Sequence, residues 1–519
     1  MSTETATQSD VPATERTRTE PAADGATIRR PRRHFTPARN WMNDPNGLVV
    51  HDGRYHLYFQ HNPDGIDHGT VGWGHASSTD LLTWTEHEVA LEADADGQVF
   101  SGSVVFDAEN TSGLGSAEQP PLVAIWTQAA ETEQSQALAS STDGGYRWRK
   151  YPGNPVLRRG SADFRDPKVF RYEGTDGPCW IMVAVEAQDR QVLVHRSTDL
   201  RTWTLVSTYG PAGPVGGVWE CPDLFPLTVD GDPDRVVWVL LVSLNPGGVA
   251  GGSGTHVVLG QFDGERFVPD EPLPAETRSP DGSWRQQSTE ELATYRWLDH
   301  GPDSYAGVTF SGTGLRDRTL VAWMDNWDYA KDLPTTPWRG AMTAARALGL
   351  TERDGRLELV QRIVGPTGAV DTVLRHDDDA ASTHELPGLV RVEVVITLRG
   401  PDGVVRLELD DADGRRRLGL RYDAADASLR LDRPAVPGLP ASFGRHVAST
   451  VRPEGDRVAL TLWFDESSVE VSSGAGTGSM TALLAGSATD ARRRLLVDPG
   501  PHAVTVTASA DADEVTPVG

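Results

Sequence analysis

Three acidic residues stand in similar local contexts along the chain and are the first candidates for chemistry. Asp44 lies in the segment WMNDPNG, Asp166 in FRDPKVF and Glu220 in WECPDLF. Each acid is close to a proline and is followed by apolar residues that open a strand. An isolated Asn-Asp-Pro turn is typical of a hairpin corner capped by its Asp. The recurrence of the pattern instead indicates that the three acids share a site.

Three converging carboxylates suit either a cation or a glycosidic bond, which needs nucleophilic and acid–base chemistry. A calcium site would need further oxygen ligands close in sequence, and none stands out. A sugar site fits better, because nearby aromatic residues offer stacking faces and nearby polar residues offer partners for hydroxyl groups. The stacking candidates are Trp41, Trp73, Phe100 and Trp219, and the polar candidates are Asn43, Gln60, Ser101 and Arg165.

A repeated pattern predicts the elements that position these residues. Ser-Thr-Asp followed by Trp occurs at 78–84, 141–148 and 197–203, with the Asp residues 63 and 56 positions apart. A period of roughly 60 residues made of short strands is typical of propeller blades. From residue 34 to about 350 this period predicts about five blades. We expect the tryptophans of the pattern to pack blade against blade: Trp84, Trp148 and Trp203.

Composition narrows the class of protein. A chain of 519 residues requires two or more domains, and 53 Gly with 35 Pro favour many short strands joined by turns. The net charge of -26 argues against partners with phosphate backbones and against anionic membranes. Two cysteines are too few for a disulfide framework or a zinc site.

The domain boundaries follow from local composition. Residues 1–33 are predicted to form a disordered tail, and because they hold no apolar run we expect a cytoplasmic protein. The propeller is predicted over 34–358 and a linker over 359–369. Alternating strands such as 389–399 then predict a β-sandwich over 370–519. The predicted fold class is therefore all-β.

These motifs, in this order, carry a resemblance. Together with further segments, the three acidic segments resemble glycoside hydrolase family 32, which comprises invertases, levanases, inulinases and related fructosyltransferases. The further segments are 100–103, 299–306, 323–330, 337–342 and 465–471. The resemblance covers nearly everything after residue 34. It implies a five-bladed β-propeller followed by a C-terminal β-sandwich, retaining chemistry, and neither a metal nor a cofactor.

The resemblance also implies a role for each acid. Asp44 would be the nucleophile, Glu220 the general acid and base, and Asp166 the transition-state stabiliser. The fructose pocket would be shaped by Asn43, Gln60, Phe100, Ser101, Asp299 and Trp327.

Elementary chemistry is consistent with these roles. A retaining enzyme needs one ionised and one protonated carboxyl about 5 to 5.5 Å apart. Glu220 lies in the more apolar sequence, which suits the protonated group, and Arg165 would hold Asp166 as an anion. Cys221 has no histidine in its motif, so it is predicted to be a packing neighbour of Glu220 and not a nucleophile.

Two departures from the family pattern concern the rim of the pocket. His68 occupies a place where many members have an indole, which bears on affinity for the leaving group. Ser304 stands where an aromatic residue is common. Neither departure affects the three acids.

Several functions remain compatible with the sequence. The first is release of fructose from the non-reducing end of sucrose, fructo-oligosaccharides, levan or inulin, with imported sucrose or short oligosaccharides as the expected substrates. A fructosyltransferase would use the same covalent intermediate. A silent sugar-binding propeller would require a missing acid. A five-bladed arabinosidase or xylosidase would not account for 41–47 together with 100–103. The sequence indicates no oligomeric state.

Overall fold

The protein is built almost entirely of β-strands. The computed structural model describes residues 27–274, 277–314, 318–365, 370–378, 380–486 and 493–511. In these ranges the only α-helix is α1 (Thr289–Leu292), with single 3-10 turns at Ala187–Asp189, Ala330–Asp332 and Ala441–Phe443. Within this described part of the chain, no helix has the length and apolar character needed to cross a membrane.

Five blades of about four strands each make up the first domain, and the fourth and fifth blades share one eight-stranded sheet through the pairing of Val229 with Leu350. The first holds β1 (Asn40–His51), β2 (Arg54–Asn62), β3 (Gly72–Ser78) and β4 (Thr85–Glu86). The second holds β5 (Gln98–Phe106), β6 (Leu122–Ala129), β7 (Gln134–Ser141) and β8 (Arg149–Lys150). The third holds β9 (Phe164–Gly174), β10 (Gly177–Glu186), β11 (Gln191–Ser197) and β12 (Thr204–Tyr209).

The remaining two blades have the same arrangement of strands. The fourth holds β13 (Val218–Val229), β14 (Asp232–Asn245), β15 (Gly254–Phe262) and β16 (Phe267–Pro269). The fifth region holds β17 (Tyr305–Thr309), β18 (Thr319–Trp323), β19 (Trp338–Arg339), β20 (Arg346–Arg353) and β21 (Arg356–Ile363). The short β19 belongs to the sheet of the first blade, where it pairs in parallel with β1. This pairing connects the last blade to the first.

The first strand of each sheet lies at the centre of the domain. β1, β5, β9, β13 and β17 contact one another in cyclic order, which places them around a common axis. The architecture is therefore the predicted five-bladed β-propeller. Its repeated Ser-Thr-Asp turns are built alike, because Asp80 accepts hydrogen bonds from the backbone of Leu82 and Thr83 as Asp199 does from Arg201 and Thr202.

The second domain is the predicted β-sandwich of two antiparallel sheets. One sheet holds β22 (Val370–Asp378), β24 (Val390–Thr397), β29 (Arg457–Asp465), β30 (Ser468–Ser473), β31 (Ser479–Leu483) and β33 (Ala503–Asp511). The other holds β23 (Ser382–Leu386), β25 (Val404–Asp411), β26 (Arg416–Asp423), β27 (Ser428–Arg433), β28 (Arg445–Thr450) and β32 (Arg493–Asp498). Alternate residues of these strands face a shared apolar core. Ala250 of the propeller joins that core, so the domains are packed together.

Two predicted boundaries need correction. Strand β21 stays paired with β20 as far as Ile363, so the propeller runs past residue 358 into the predicted linker; residues 366–369 of that linker lie outside the described part. Residues 27–33, which the sequence analysis placed in the predicted disordered tail, are ordered. Ile28 is buried in an apolar cluster, and the backbone N–H groups of Arg32 and Arg33 donate to Asp465. Burial and these hydrogen bonds order the segment from Thr27; residues 1–26 are not described.

Candidate active site

Every central strand of the propeller is irregular at the same level. The pairing of each one with its neighbour shifts register near one end, as expected for a β-bulge, and a bulge turns side chains away from the regular alternation. The shifts lie between Met42 and Pro45, Val99 and Gly102, Val183 and Val185 (opposite 165–168), Glu220 and Asp223, and Tyr305 and Val308. The bulges turn Asp44, Ser101, Asp166, Glu220 and Tyr305 towards one mouth of the axis.

Proline and strained backbone mark the same positions. Proline lacks an N–H group and is tolerated in a strand where the ladder is already interrupted, which explains why a proline accompanies each acid in the sequence. Asp166, Cys221 and Ala306 have positive φ angles of 62°, 45° and 54°. Residues other than glycine rarely adopt this left-handed region, and such outliers cluster at functional sites.

A cavity of about 250 Å³ opens at this mouth. All three acids line it. The wall is completed by six of the residues predicted from sequence and by two others, His68 and Gln134. The six are Asn43, Gln60, Phe100, Ser101, Arg165 and Trp327.

Asp44 is a half-buried carboxylate, and only one of its two oxygens is hydrogen-bonded within the described part of the chain. Ser101 Oγ donates to Asp44 Oδ2 at 2.8 Å, and the Cys221 thiol lies 3.4 Å from the same oxygen. Oδ1 is itself buried and has no hydrogen-bond partner among the described residues, although the residue lines the cavity. Burial raises the pKa of Asp44, as does the nearby Glu220, while the Ser101 hydrogen bond lowers it. The arrangement restrains one carboxylate oxygen by hydrogen bonding and leaves the other without that restraint.

Asp166 is fixed by backbone groups. The N–H of Cys221 donates to Asp166 Oδ2 at 2.9 Å, and the N–H of Asp166 itself donates to Thr127 Oγ1 at 2.8 Å. The pKa of Asp166 is raised to about 7; burial is the main cause, Arg165 lowers the pKa, and the charges of Glu220 and Asp44 add to the increase. Cys221, which follows Glu220 and is buried in an apolar cluster, thus also contacts Asp166 and Asp44.

Glu220 is held by two donors, one on each oxygen. Arg165 Nη2 donates to Oε1 at 3.1 Å, and the Tyr305 hydroxyl donates to Oε2. The Glu220 side chain is 22% exposed, and Asp44 is half-buried as well. Arg165 also lies 3.9 Å from Asp166 and 3.1 Å from Asp163, so one guanidinium links two of the three acids.

Three of the predicted stacking residues do not line the cavity. Trp41, Trp73 and Trp219 are at most 1% exposed, because their indoles fill the space between blades. Trp41 Nε1 donates to Asn43 Oδ1 at 2.7 Å, and Trp73 Nε1 donates to the Phe100 carbonyl at 3.0 Å. They support residues of the pocket from behind instead of stacking on a sugar.

Asp299 was also predicted to shape the pocket, and the structure places it elsewhere. It is buried between the two domains, where Oδ2 accepts hydrogen bonds from Arg346 Nη1 at 2.9 Å and from Thr481 Oγ1 at 2.7 Å. Its Oδ1 accepts from the N–H groups of Gly301 and Thr481. Because both oxygens are occupied, Asp299 links the propeller to the sandwich and is not free to bind a ligand.

The sequence alone does not predict Tyr305 or Gln134 as residues of the site, and it identifies His68 only as a departure from the family pattern. Tyr305 directly follows Ser304, which was noted only as a departure from a family pattern. Gln134 begins β7 with no local signal, and Arg165 Nη1 lies 3.5 Å from its Oε1. His68, flagged for replacing an indole, does line the cavity and lies edge-on to Trp41 and Trp327 at ring distances of 5.9 and 5.7 Å.

The donor set does not point to a metal ion. Across the described ranges, no group of three or more His, Cys, Asp and Glu side chains is arranged to hold one. A buried arginine between Asp166 and Glu220 supplies the positive charge that balances the carboxylates.

Comparison with known proteins agrees with this geometry. The chain is 38% identical to a levanase of Bacillus subtilis (strain 168) over 476 residues, which cover 88% of this chain and 66% of the levanase. It superposes on an exo-inulinase structure from Aspergillus awamori with a TM-score of 0.85 and 33% identity, covering 94% and 99% of the two chains. A Schwanniomyces occidentalis β-fructofuranosidase complexed with fructosyl-erythritol gives a TM-score of 0.81 at 29% identity, covering 93% and 97%.

A family profile matches the catalytic part of the chain as well. Residues 34–362, which span the whole propeller, match the profile of the glycosyl hydrolases family 32 N-terminal domain. With this match, the shared two-domain fold and the convergence of Asp44, Asp166 and Glu220, the chain belongs to glycoside hydrolase family 32.

Proposed function

We propose that this protein is a retaining exo-β-fructosidase that releases fructose from the non-reducing β-fructofuranosyl end of sucrose, fructo-oligosaccharides or levan- and inulin-type fructans. The observation that carries the proposal is the pairing of two unlike carboxyl groups in one cavity. Asp44 has one oxygen without a hydrogen-bond partner among the described residues, whereas both oxygens of Glu220 accept hydrogen bonds, from Arg165 and Tyr305. Such a pair can serve as nucleophile and acid–base group.

In the first step the Asp44 carboxylate attacks the anomeric carbon of the fructosyl unit. The bond between that carbon and the glycosidic oxygen breaks, and the electron pair goes to the oxygen, which takes a proton from Glu220. The product is a fructosyl ester of Asp44 and a shortened sugar. Glu220 is left as an anion, and the hydrogen bonds from Arg165 and Tyr305 stabilise it.

In the second step Glu220 takes a proton from water as the water oxygen attacks the same carbon. The ester bond breaks, its electron pair returns to Asp44, and fructose leaves with its original anomeric configuration. Asp166 is placed to accept hydrogen bonds from fructose hydroxyls, and these strengthen as positive charge develops on the ring.

The shape of the cavity favours removal of one terminal unit at a time. Its volume of about 250 Å³ suits a single furanose ring with room at the opening. Trp41 and Trp73, both buried behind the wall, block a passage through it. The names of the similar proteins support this substrate class, since they are a levanase, an exo-inulinase and a β-fructofuranosidase.

Product analysis of the purified protein tests the proposal. The donors are sucrose, an inulin-type oligosaccharide, a levan-type oligosaccharide and sucrose phosphate. We expect free fructose, with each oligosaccharide shortened one unit at a time, and NMR of the first product should show the β-anomer. Longer or cyclic products would instead identify a transferase, and absence of any product would identify a silent binding protein.

Two variants test the assigned roles. Asp44→Asn and Glu220→Gln should each lower kcat on sucrose by at least about 10³-fold, as removal of a group that takes part in the reaction does. Glu265→Gln changes an exposed carboxylate outside the cavity and serves as the control. Normal activity in either active-site variant would refute the assignment.

A further inference from the structure

Trp327 lines the cavity, and the segment that carries it is contacted by residues of the sandwich domain. Its indole is stacked on Trp41 at a ring distance of 5.8 Å and packs on Trp323 at 4.9 Å. Its backbone N–H donates to Ser253 Oγ at 3.1 Å. These contacts fix the face of the indole that is turned towards the protein. The position of the indole relative to the cavity also depends on the residue that follows it in the chain.

That neighbour, Asp328, is bound by the sandwich. Arg445 Nη2, at the start of β28, donates to Asp328 Oδ2, and Ser442 Oγ donates to the Asp328 carbonyl at 3.2 Å. The two charged side chains are 17% and 34% exposed, so water screens this pair less than an ordinary surface pair. The sandwich therefore holds both the side chain and the backbone of the residue next to Trp327.

A glycine loop of the propeller completes this junction. A Cβ on Gly252 would stand 2.7 Å from Asp328 Cγ and 2.1 Å from Asn326 Oδ1. A Cβ on Gly251 would stand 3.3 Å from Arg445 Cζ. Glycines at these positions let the loop, the Trp327 segment and the sandwich approach each other closely.

A second contact of the sandwich with this segment has a different character. Arg433 Nη2 donates to the Tyr329 hydroxyl at 2.7 Å, and its Nη1 donates to Asp303 Oδ2 at 2.6 Å. This arginine and Asp303 are at most 1% exposed. Loss of such a buried pair would destabilise the protein itself. Arg445, at the partly exposed pair, is the position where the effect on the pocket can be separated from folding.

We propose that Arg445 is a positioning residue for substrate binding, acting through Asp328 to hold Trp327 against the fructosyl unit. The sandwich domain thereby contributes to affinity although none of its residues lines the cavity described above. This inference rests on the proposed function, because it assigns Trp327 to the binding of a fructosyl donor.

Steady-state kinetics with sucrose test the inference. Arg445→Gln should raise KM by about 3- to 10-fold and change kcat by less than about twofold, because wall contacts act in both the ground state and the transition state. Arg445→Lys should recover part of the loss. Arg430→Gln, which removes an exposed Arg–Asp pair of the same domain, is the matched control and should leave both constants unchanged.

A double-mutant cycle separates positioning from general destabilisation. In a Trp327→Ala background, measured as kcat/KM at low sucrose, Arg445→Gln should have an effect of less than about twofold, since the residue through which it acts is gone. Asp328→Asn removes the pair from the other side and should raise KM to a similar extent. If Arg445→Gln does not fold, this variant and Arg445→Lys decide the question.

The possible failures are distinguishable. If the wild-type protein cleaves no fructoside, the proposed function fails and the inference falls with it. If the wild-type protein cleaves sucrose and Arg445→Gln keeps a normal KM, the inference alone is wrong. Equal losses in the wild-type and Trp327→Ala backgrounds would also overturn it, because they would show an effect that does not pass through Trp327.

Discussion

The Tyr305 hydroxyl donates a hydrogen bond to Oε2 of Glu220 at the mouth of the propeller. Burial raises the pKa of Tyr305 well above its usual value, and the neighbouring carboxylate adds to the shift, so the phenol stays a donor at any working pH. Together with Arg165 on Oε1, it stabilises the anion that forms when Glu220 gives up its proton.

Replacing Tyr305 should therefore impair proton donation to the leaving group. We expect Tyr305→Phe to lower kcat/KM for sucrose by about 10- to 100-fold, the equivalent of one hydrogen bond to a charged group. The loss should be much smaller with a fructosyl fluoride donor, whose leaving group needs little protonation. Tyr209→Phe, which removes a buried hydroxyl with no hydrogen-bond partner, is the control; an equal loss with both donors would contradict the prediction.

The hydrogen bond from Ser101 should set the acidic limit of activity. Asp44 must be ionised to attack, and the Ser101 hydroxyl lowers its pKa against the raising effect of burial. In Ser101→Ala that pKa rises, so the anion is lost at a higher pH as the solution is acidified. The acidic limb of kcat/KM against pH should move to higher pH, while Ser207→Ala, at a surface site, should leave it in place. An unmoved limb would show that Ser101 does not tune Asp44.

Asp166 is expected to support activity while its ionised form lowers the stability of the folded protein. Its pKa is raised by burial to about 7 in the folded protein, above the ordinary value of about 3.9. The folded state therefore binds the proton more tightly than the unfolded state, and the ionised carboxylate destabilises the fold as pH rises through 7. Asp166→Asn should raise the Tm at pH 8, leave it unchanged near pH 3.5, and lower kcat by about 10²-fold or more. Thermal scans at both pH values check this, and a lower Tm at pH 8 would refute it.

The contact between the domains should carry a pH signature of its own. His34 is buried between Asp465 and Glu470, at 2.9 and 2.8 Å. Burial lowers the pKa of His34, but the hydrogen bonds that it donates to these acids and their negative charges outweigh burial and raise the pKa to about 10. The pKa of Glu470 falls to about 2, because the effects of Arg346 and His34 outweigh burial. The histidine contribution is complete below about pH 6.5 and is lost towards pH 10, and the glutamate contribution is lost as pH falls below about 4.5.

Removing the charge of His34 should thus be most costly between these limits. We expect His34→Gln to lower the free energy of unfolding by about 3 kcal/mol near pH 5.5, as breaking a buried ion pair does. The difference from wild type should shrink towards pH 10. His446→Gln, whose imidazole is 82% exposed beside Asp432, is the control. Urea unfolding at pH 5.5, 8 and 10 checks the prediction, and a deficit independent of pH would contradict it.

The sequence alone determined the fold class and the chemistry of the site. The repeated Ser-Thr-Asp turns and short apolar strands predict a propeller because backbone geometry and alternation are local properties of a strand. Asp44, Asp166 and Glu220 were recognisable because each accompanies a proline at a bulge, and a bulge is also encoded locally. The family resemblance added the roles of these acids and the sandwich domain.

Only the tertiary structure decided which residues meet. Trp41 and Trp73 are aromatic and near an acid, yet packing between blades buries them behind the wall. Asp299 lies in a family motif, yet its hydrogen bonds with Arg346 and Thr481 hold it at the interface between the domains. Gln134 and His68 line the cavity and the buried Tyr305 binds Glu220 beside it. They come from separate blades or loops, and no local pattern reports such distant pairings. The sequence specifies the chemical type of each side chain. Which side chains are buried and which come into contact depends on the closure of five blades around one axis.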